Sequence, residues 1–163
     1  MLGEGGTPLS RLQAALRELQ AWDEPLEVKE LRVVIDGLEG VFCANARKSQ
    51  MDGEHLVAGC VSAASWIART CSMSVTSAAD RVCVGKQLED LPKVAAALGS
   101  GEISYQSASQ LCHLRDKLAE KAELFDEDEM LSYAREYSVF ELRKLCNAAR
   151  HVADPDGFFN DAE

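Results

Sequence analysis

Aromatic side chains are scarce in this chain, at 6% of 163 residues, and Ala, Leu and Val carry most of the apolar content. Few β-branched runs occur, a composition that favours packed helices over sheets. No strand-like alternation lasts beyond a few residues, so the fold class expected is all-α. No apolar run approaches the roughly 20 residues of a membrane span, and the N-terminus does not read as a signal peptide, so no membrane partner is expected. The six cysteines (Cys43, Cys60, Cys71, Cys83, Cys112, Cys146) contain no CxxC pair, which argues against a zinc site. The chain is too long and too core-rich to need a disulfide framework. Reduced, mostly buried thiols in a cytoplasmic protein are the reading. The three histidines, His55, His113 and His151, show no paired metal spacing, and no cofactor is expected. Positive charge is also short, with 17 Lys and Arg against 27 Asp and Glu. A net charge of −10 excludes a protein that simply coats nucleic acid, because phosphate binding rests on Lys and Arg.

That acidity is uneven. Residues 1–54 sum to −4, residues 55–121 to +1, and residues 122–163 to −7. Only the middle would not repel phosphate. With 47% hydrophobic residues the chain can bury a core as one domain with a helical appendage. The appendage is placed at 1–24, the helical core at 25–153 and an exposed tail at 154–163. "MLGEGG" reads as a flexible start. Thr7 and Pro8 then open a helix with a narrow stripe of Leu9, Leu12, Leu16 and Leu19. A long helix is expected from about Pro25 to Gln50, with Leu31, Val34, Ile35, Leu38 and Phe42 on one face. "MDGEH" breaks it, and a short helix from about Val61 points Trp66 and Ile67 at a core. Further helices are read over "VTSAADRVCVGKQL", "KVAAAL", "YQSASQLCHLRDKLAEKAEL" and from "FDEDE" through Tyr137. Ser138 with Glu141 forms a capping box before "VFELRKLCNAARHV", where Leu142, Leu145, Cys146 and Ala149 share a face.

Two segments have the profile of a helix-turn-helix, in which the second helix offers short polar side chains to base edges. In "IARTCSMSVTSAADRV", Met73 plugs the turn, Ser74 caps, and Ala78 with Val82 anchor the second helix. Thr76, Ser77 and Arg81 would form its reading face, with Lys86 beyond. Ser72 stands where glycine is commonest in such turns, and Asp80 is unhelpful near phosphate. In "VAAALGSGEISYQSASQL", Ala95 and Leu98 would pack against Ile103, Ala108 and Leu111 across a glycine turn. Tyr105, Gln106, Ser109 and Gln110 would be the exposed polar set, with Arg115 and Lys117 a turn or two later. This second hairpin resembles the helix-turn-helix of ParB-like partition proteins. Glycine-turn hairpins also commonly do nothing but pack.

Taken in order, "SAASWIARTCSMS", "LEDLPKVAAALGSGEISYQSASQL", "SVFELRKL" and "ADPDG" resemble the bacterial 13E12-repeat family, whose shared region is domain of unknown function 222. The resemblance runs from about residue 28 to the end. Members commonly carry an HNH nuclease domain after this region, so the resemblance implies a DNA-associated role. Members often have a His-Ala pair in the second hairpin, where this chain has Ser107 and Ala108.

Catalysis by the chain itself is not expected. The acids of "DEDE" (126–129) suit a helix start, where the dipole favours them. Cys112 and His113 are adjacent on a helix and point apart. His151 suits a helix C-terminus, and "GEGG" lacks the strand and Lys-Ser/Thr of a phosphate loop. Two functions follow. One is a non-catalytic DNA-binding or DNA-positioning module, with double-stranded DNA contacted by Thr76, Ser77, Arg81, Lys86, Tyr105, Gln106, Gln110 and Arg115. The other is an interaction domain that meets a helical partner or a second copy through its long helix and leucine stripe.

Overall fold

A computed structural model describes residues 5–153. The readings of a flexible first segment and of a tail over 154–163 fall wholly or partly outside the described residues. Among those residues every regular element is helical, as the composition led us to expect. The chain divides into two compact units, residues 1–31 and 32–163.

In the first unit, α1 (Pro8–Gln20) starts on Thr7, whose hydroxyl accepts the Ser10 amide at 3.2 Å. It buries no residue, and Leu9, Leu12, Leu16 and Leu19 remain 36–64% exposed. Helix α2 (Val28–Asp52) begins in this unit and continues into the second. It starts at Val28 rather than Pro25.

The second unit adds α3 (Glu54–Val57), α4 (Ala63–Thr70), α5 (Val75–Leu88), α6 (Pro92–Ser100) and α7 (Tyr105–Leu118). A 3-10 segment (Ala119–Leu124), α8 (Glu127–Glu136) and α9 (Val139–Ala153) complete it. The starts are set by local side chains. Ser62, Ser74, Ser104 and Asp126 each accept the amide three residues on, and Ser138 exchanges bonds with Glu141 in a full capping box. Each such cap stabilises its helix by about 1 kcal/mol. Helix α6 differs, because its N-cap is Leu91, which offers no acceptor. Glu127 supplies one from α8, its Oε1 accepting the amides of Lys93 at 2.7 Å and Val94 at 3.0 Å. Asp128 pairs with Lys93 beside it. The acidic run "DEDE" therefore ties two helices together as well as starting one.

Helix α7 is the central element, packed by α5, α6, α8, α9 and the 3-10 segment. The main core gathers around it, with Val84, Val94, Leu98, Leu111, Cys112 and Leu142 fully buried. A second cluster joins Ala63, Ile67 and Ala68 of α4 to Ala78 and Val82 of α5, with Trp66 and Met73 packed against it. Two glycines are required by position. Gly85 lets α5 approach α2 so closely that a Cβ would strike the carbonyl oxygen of Cys43. Gly101 ends α6 at φ +80°, against Val33.

Two expectations need correction, the end of α7 and the burial of the thiols. Helix α7 stops at Leu118 instead of running to Leu124, because Leu118 is buried and Ala119 turns at φ +48°. The break brings Phe125 against the core, and tertiary packing overrides a helix-favouring sequence. On the apolar stripe of α2, Val34, Ile35 and Leu38 are 41–54% exposed and Phe42 packs against the second cluster, while Asp36, Cys43 and Ala46 are buried. Of the thiols, Cys43, Cys112 and Cys146 are buried, Cys60 and Cys83 partly exposed, and Cys71 exposed.

Candidate functional site

Asp80 on α5 stands opposite Tyr105, Ser109 and His113, which follow one another at four-residue steps along one face of α7. Its carboxylate accepts three short hydrogen bonds from α7, from Tyr105 Oη at 2.6 Å, Ser109 Oγ at 2.6 Å and His113 Nε2 at 2.7 Å, and a longer one from Arg81 Nη1 at 3.5 Å. Behind this set, Cys43 Sγ donates to Tyr105 Oη, and Cys83 Sγ lies 3.7 Å from His113 Nδ1. Burial works against charge on Asp80, but the bonds from His113, Ser109 and Tyr105 outweigh it and hold the carboxyl down at about 2. The bonds to Asp80 and Cys83 push His113 up to about 10. Asp80 is thus an anion and His113 a cation across neutral pH. Burial pushes the Cys43 thiol up to about 12 and raises Cys112 as well, so both stay neutral.

Arg81, next in sequence, joins Asp80 to α2. It clasps Glu39 of α2 through Nε and Nη2 at 3.2 and 2.9 Å and lies over the Tyr105 ring at 5.1 Å. Arg81 and Asp80 line a cleft of about 540 Å³ of mixed charge, shared with Arg32, Asp36 and Glu39. On the far side of Gln110, between α7 and α9, a groove of about 240 Å³ is different. Among the described residues its charged lining is His113, Lys117, Arg143 and Arg150, with the Asp80 carboxylate bonded to His113. Lys117 and Arg143 have no ion-pair or hydrogen-bond partner among the described residues.

The residues expected to touch DNA are dispersed. Arg81, Tyr105, Gln106 and Gln110 line the mixed cleft. Thr76 and Lys86 lie exposed along α5, and Ser77 is half-buried, its Oγ and carbonyl accepting from Arg81. Arg115 donates to Gln87 at 2.6 Å and pairs with Asp90. Gln106 is exposed, whereas Gln110 is half-buried and donates Nε2 to the Val139 carbonyl. Tyr105 corrects the expected exposed set: it is 7% exposed, with its hydroxyl spent on Asp80. Asp80 was read as a hindrance to phosphate, yet its charge is absorbed by the three donors of α7 and by Arg81. Arg143 and Arg150 carry no sequence signal of their own. The Tyr-x3-Ser-x3-His spacing did, since it sets three hydrogen-bonding side chains on one face of α7.

The sequence model for a domain of unknown function, DUF222, matches residues 11–163. The chain belongs to the DUF222 family. No curated protein and no solved structure matches it. Within this DUF222 chain, no group of three or more His, Cys, Asp or Glu side chains is placed to hold a metal ion among the described residues. No helix there is long and apolar enough to cross a membrane.

Proposed function

We propose that the chain is a non-catalytic DNA-associating module that holds duplex phosphates in the groove between α7 and α9. The observation that carries this is the groove's pair of cations Lys117 and Arg143, which have no ion-pair or hydrogen-bond partner among the described residues. The overall charge of −10 does not forbid it, since charges more than about 8 Å away are largely screened at physiological salt. The resemblance to regions that precede HNH nuclease domains, and the α4–α5 and α6–α7 hairpins, favour a role in positioning DNA for a nuclease in a bacterial cytoplasm. Fluorescence anisotropy of a labelled random duplex, repeated at rising salt, tests the reading. Saturable binding should weaken log-linearly with salt. Lys117→Ala with Arg143→Ala should lower the slope by about 1.8, the loss of two phosphate contacts. An unchanged slope in that double variant removes the groove from the proposal, and absence of binding at low salt removes DNA.

A second reading is self-association. The heptad spacing of Leu9, Leu12, Leu16 and Leu19 on an α1 that buries nothing suits an identical helix from another copy. Sedimentation equilibrium of a Leu12→Asp, Leu16→Asp variant against wild type tests it. A monomer in both cases ends this reading.

A further inference from the structure

Among the six thiols, Cys83 is the one whose sulfur faces a histidine. Cys83 and Asp80 are three residues apart on α5 and flank the His113 imidazole from the same side. Asp80 Oδ1 receives Nε2 at 2.7 Å, and the opposite ring nitrogen, Nδ1, lies 3.7 Å from Cys83 Sγ. The ring is thus oriented by a carboxylate and turned towards a sulfur, the order of groups that activates a thiol nucleophile. Cys83 is partly exposed, so small reagents can reach it. We propose that Cys83 is a nucleophilic thiol that exchanges with low-molecular-weight disulfides, with His113 as its positioning partner.

In the exchange, Cys83 Sγ attacks one sulfur of R–S–S–R. The Cys83–S–S–R bond forms, the R–S–S–R bond breaks, and R–S⁻ leaves with the electron pair. His113 is already an imidazolium at neutral pH and its Nδ1–H steadies negative charge on the reacting sulfur, while the Cys83 proton passes through water to the departing thiolate. The protein thiol is oxidised and half of the disulfide is reduced. The charged and titratable groups around this pair are Asp80 on α5, Cys112, Arg115 and Lys117 on α7, and Arg143 and Arg150 on α9. The buried Cys112 thiol, raised by its burial, stays neutral and does not compete. The inference stands on the Cys83–His113–Asp80 contacts and does not depend on DNA binding.

The test uses the full chain and a limiting amount of a neutral aromatic disulfide, with acid quenching and mass-spectrometric mapping of each cysteine. Exposed Cys71 is the internal reference, and buried Cys43 and Cys112 report unfolding, because they react only if the core opens. Cys83 should be modified several-fold ahead of Cys71 at pH 7, and its lead should widen as pH falls towards 6. His113→Gln should drop Cys83 behind Cys71 while Cys43 and Cys112 stay unmodified. If that variant opens the core, the wild-type pH series decides alone. Modification of Cys71 ahead of Cys83 throughout pH 6–8 overturns the proposal, as does a Cys83 rate that His113→Gln leaves unchanged in a folded chain.

Discussion

Removing the Asp80 carboxylate should cost the fold more than any other single polar change. In Asp80→Ala, Tyr105 Oη loses its acceptor while its ring remains buried at 7% exposure. An unpaired buried donor costs about 1–3 kcal/mol. The half-buried Ser109 hydroxyl adds about 1 kcal/mol on the same principle. His113 adds less than about 1 kcal/mol, since its side chain is 39% exposed and water replaces part of the pairing. The expected loss is therefore about 3–4 kcal/mol, a large share of the roughly 5–15 kcal/mol typical of a domain. Asp80→Asn, which keeps one acceptor oxygen, should lose about half as much. Urea unfolding followed by far-ultraviolet circular dichroism reads both, through the midpoint at constant slope. The pH dependence gives a second reading. His113 is raised from 6.5 to about 10 in the folded chain, so its stabilisation is complete below pH 6.5 and declines as pH rises through the folded value. Asp80 is lowered from 3.8 to about 2, so its contribution is present above pH 3.8 and lost as pH falls towards 2. Wild type should therefore lose stability between pH 6.5 and 8.5, and Asp80→Ala should be flat there. Above that window the buried Cys43 and Cys112 thiols add their own alkaline loss. A cost under about 1 kcal/mol, the level of a surface pair, together with an unchanged pH slope, would refute the central role given to Asp80.

Three further outcomes follow from the packing. Gly85→Ala forces a Cβ into the Cys43 carbonyl and within 2.9 Å of Arg47 Cβ, and should lower stability by about 3 kcal/mol in urea titration, near the upper end of overpacking costs. Ser72→Gly should raise stability by about 1 kcal/mol, because Ser72 holds φ +53° in the α4–α5 turn, a conformation costly for a side chain. Leu142→Ala empties a fully buried site on α9 and should cost about 2–5 kcal/mol in the same assay.

What could be read in advance follows the range of each interaction. Caps at Ser74, Ser104 and Ser138 were legible because donor and acceptor lie three residues apart. Burial of Leu98, Ile103, Ala108 and Leu111 was legible because helical spacing repeats it. Glycine is commonest at the position of Ser72, and the positive φ there gives the reason. Asp80 was misjudged because its donors on α7 lie 25 to 33 residues away, and a carboxylate with no visible partner reads as solvated. Arg81 was assigned to a reading face because Glu39, 42 residues earlier, gave no sign that it would claim the guanidinium. The cationic groove escaped notice because α7 and α9 each contribute only part of it. The stripe on α2 was legible as a face, but helical periodicity does not say what covers it.

The Glu127 carboxylate makes the first turn of α6 depend on a helix more than thirty residues later. Lys93 and Val94 have no capping side chain of their own, so their amides are shielded only while α8 is docked. In hydrogen–deuterium exchange these two amides should open together with α8, as a single cooperative unit, and earlier than the later turns of α6. A ligand or partner that loosened α8 would therefore unfasten the start of the second hairpin without touching it.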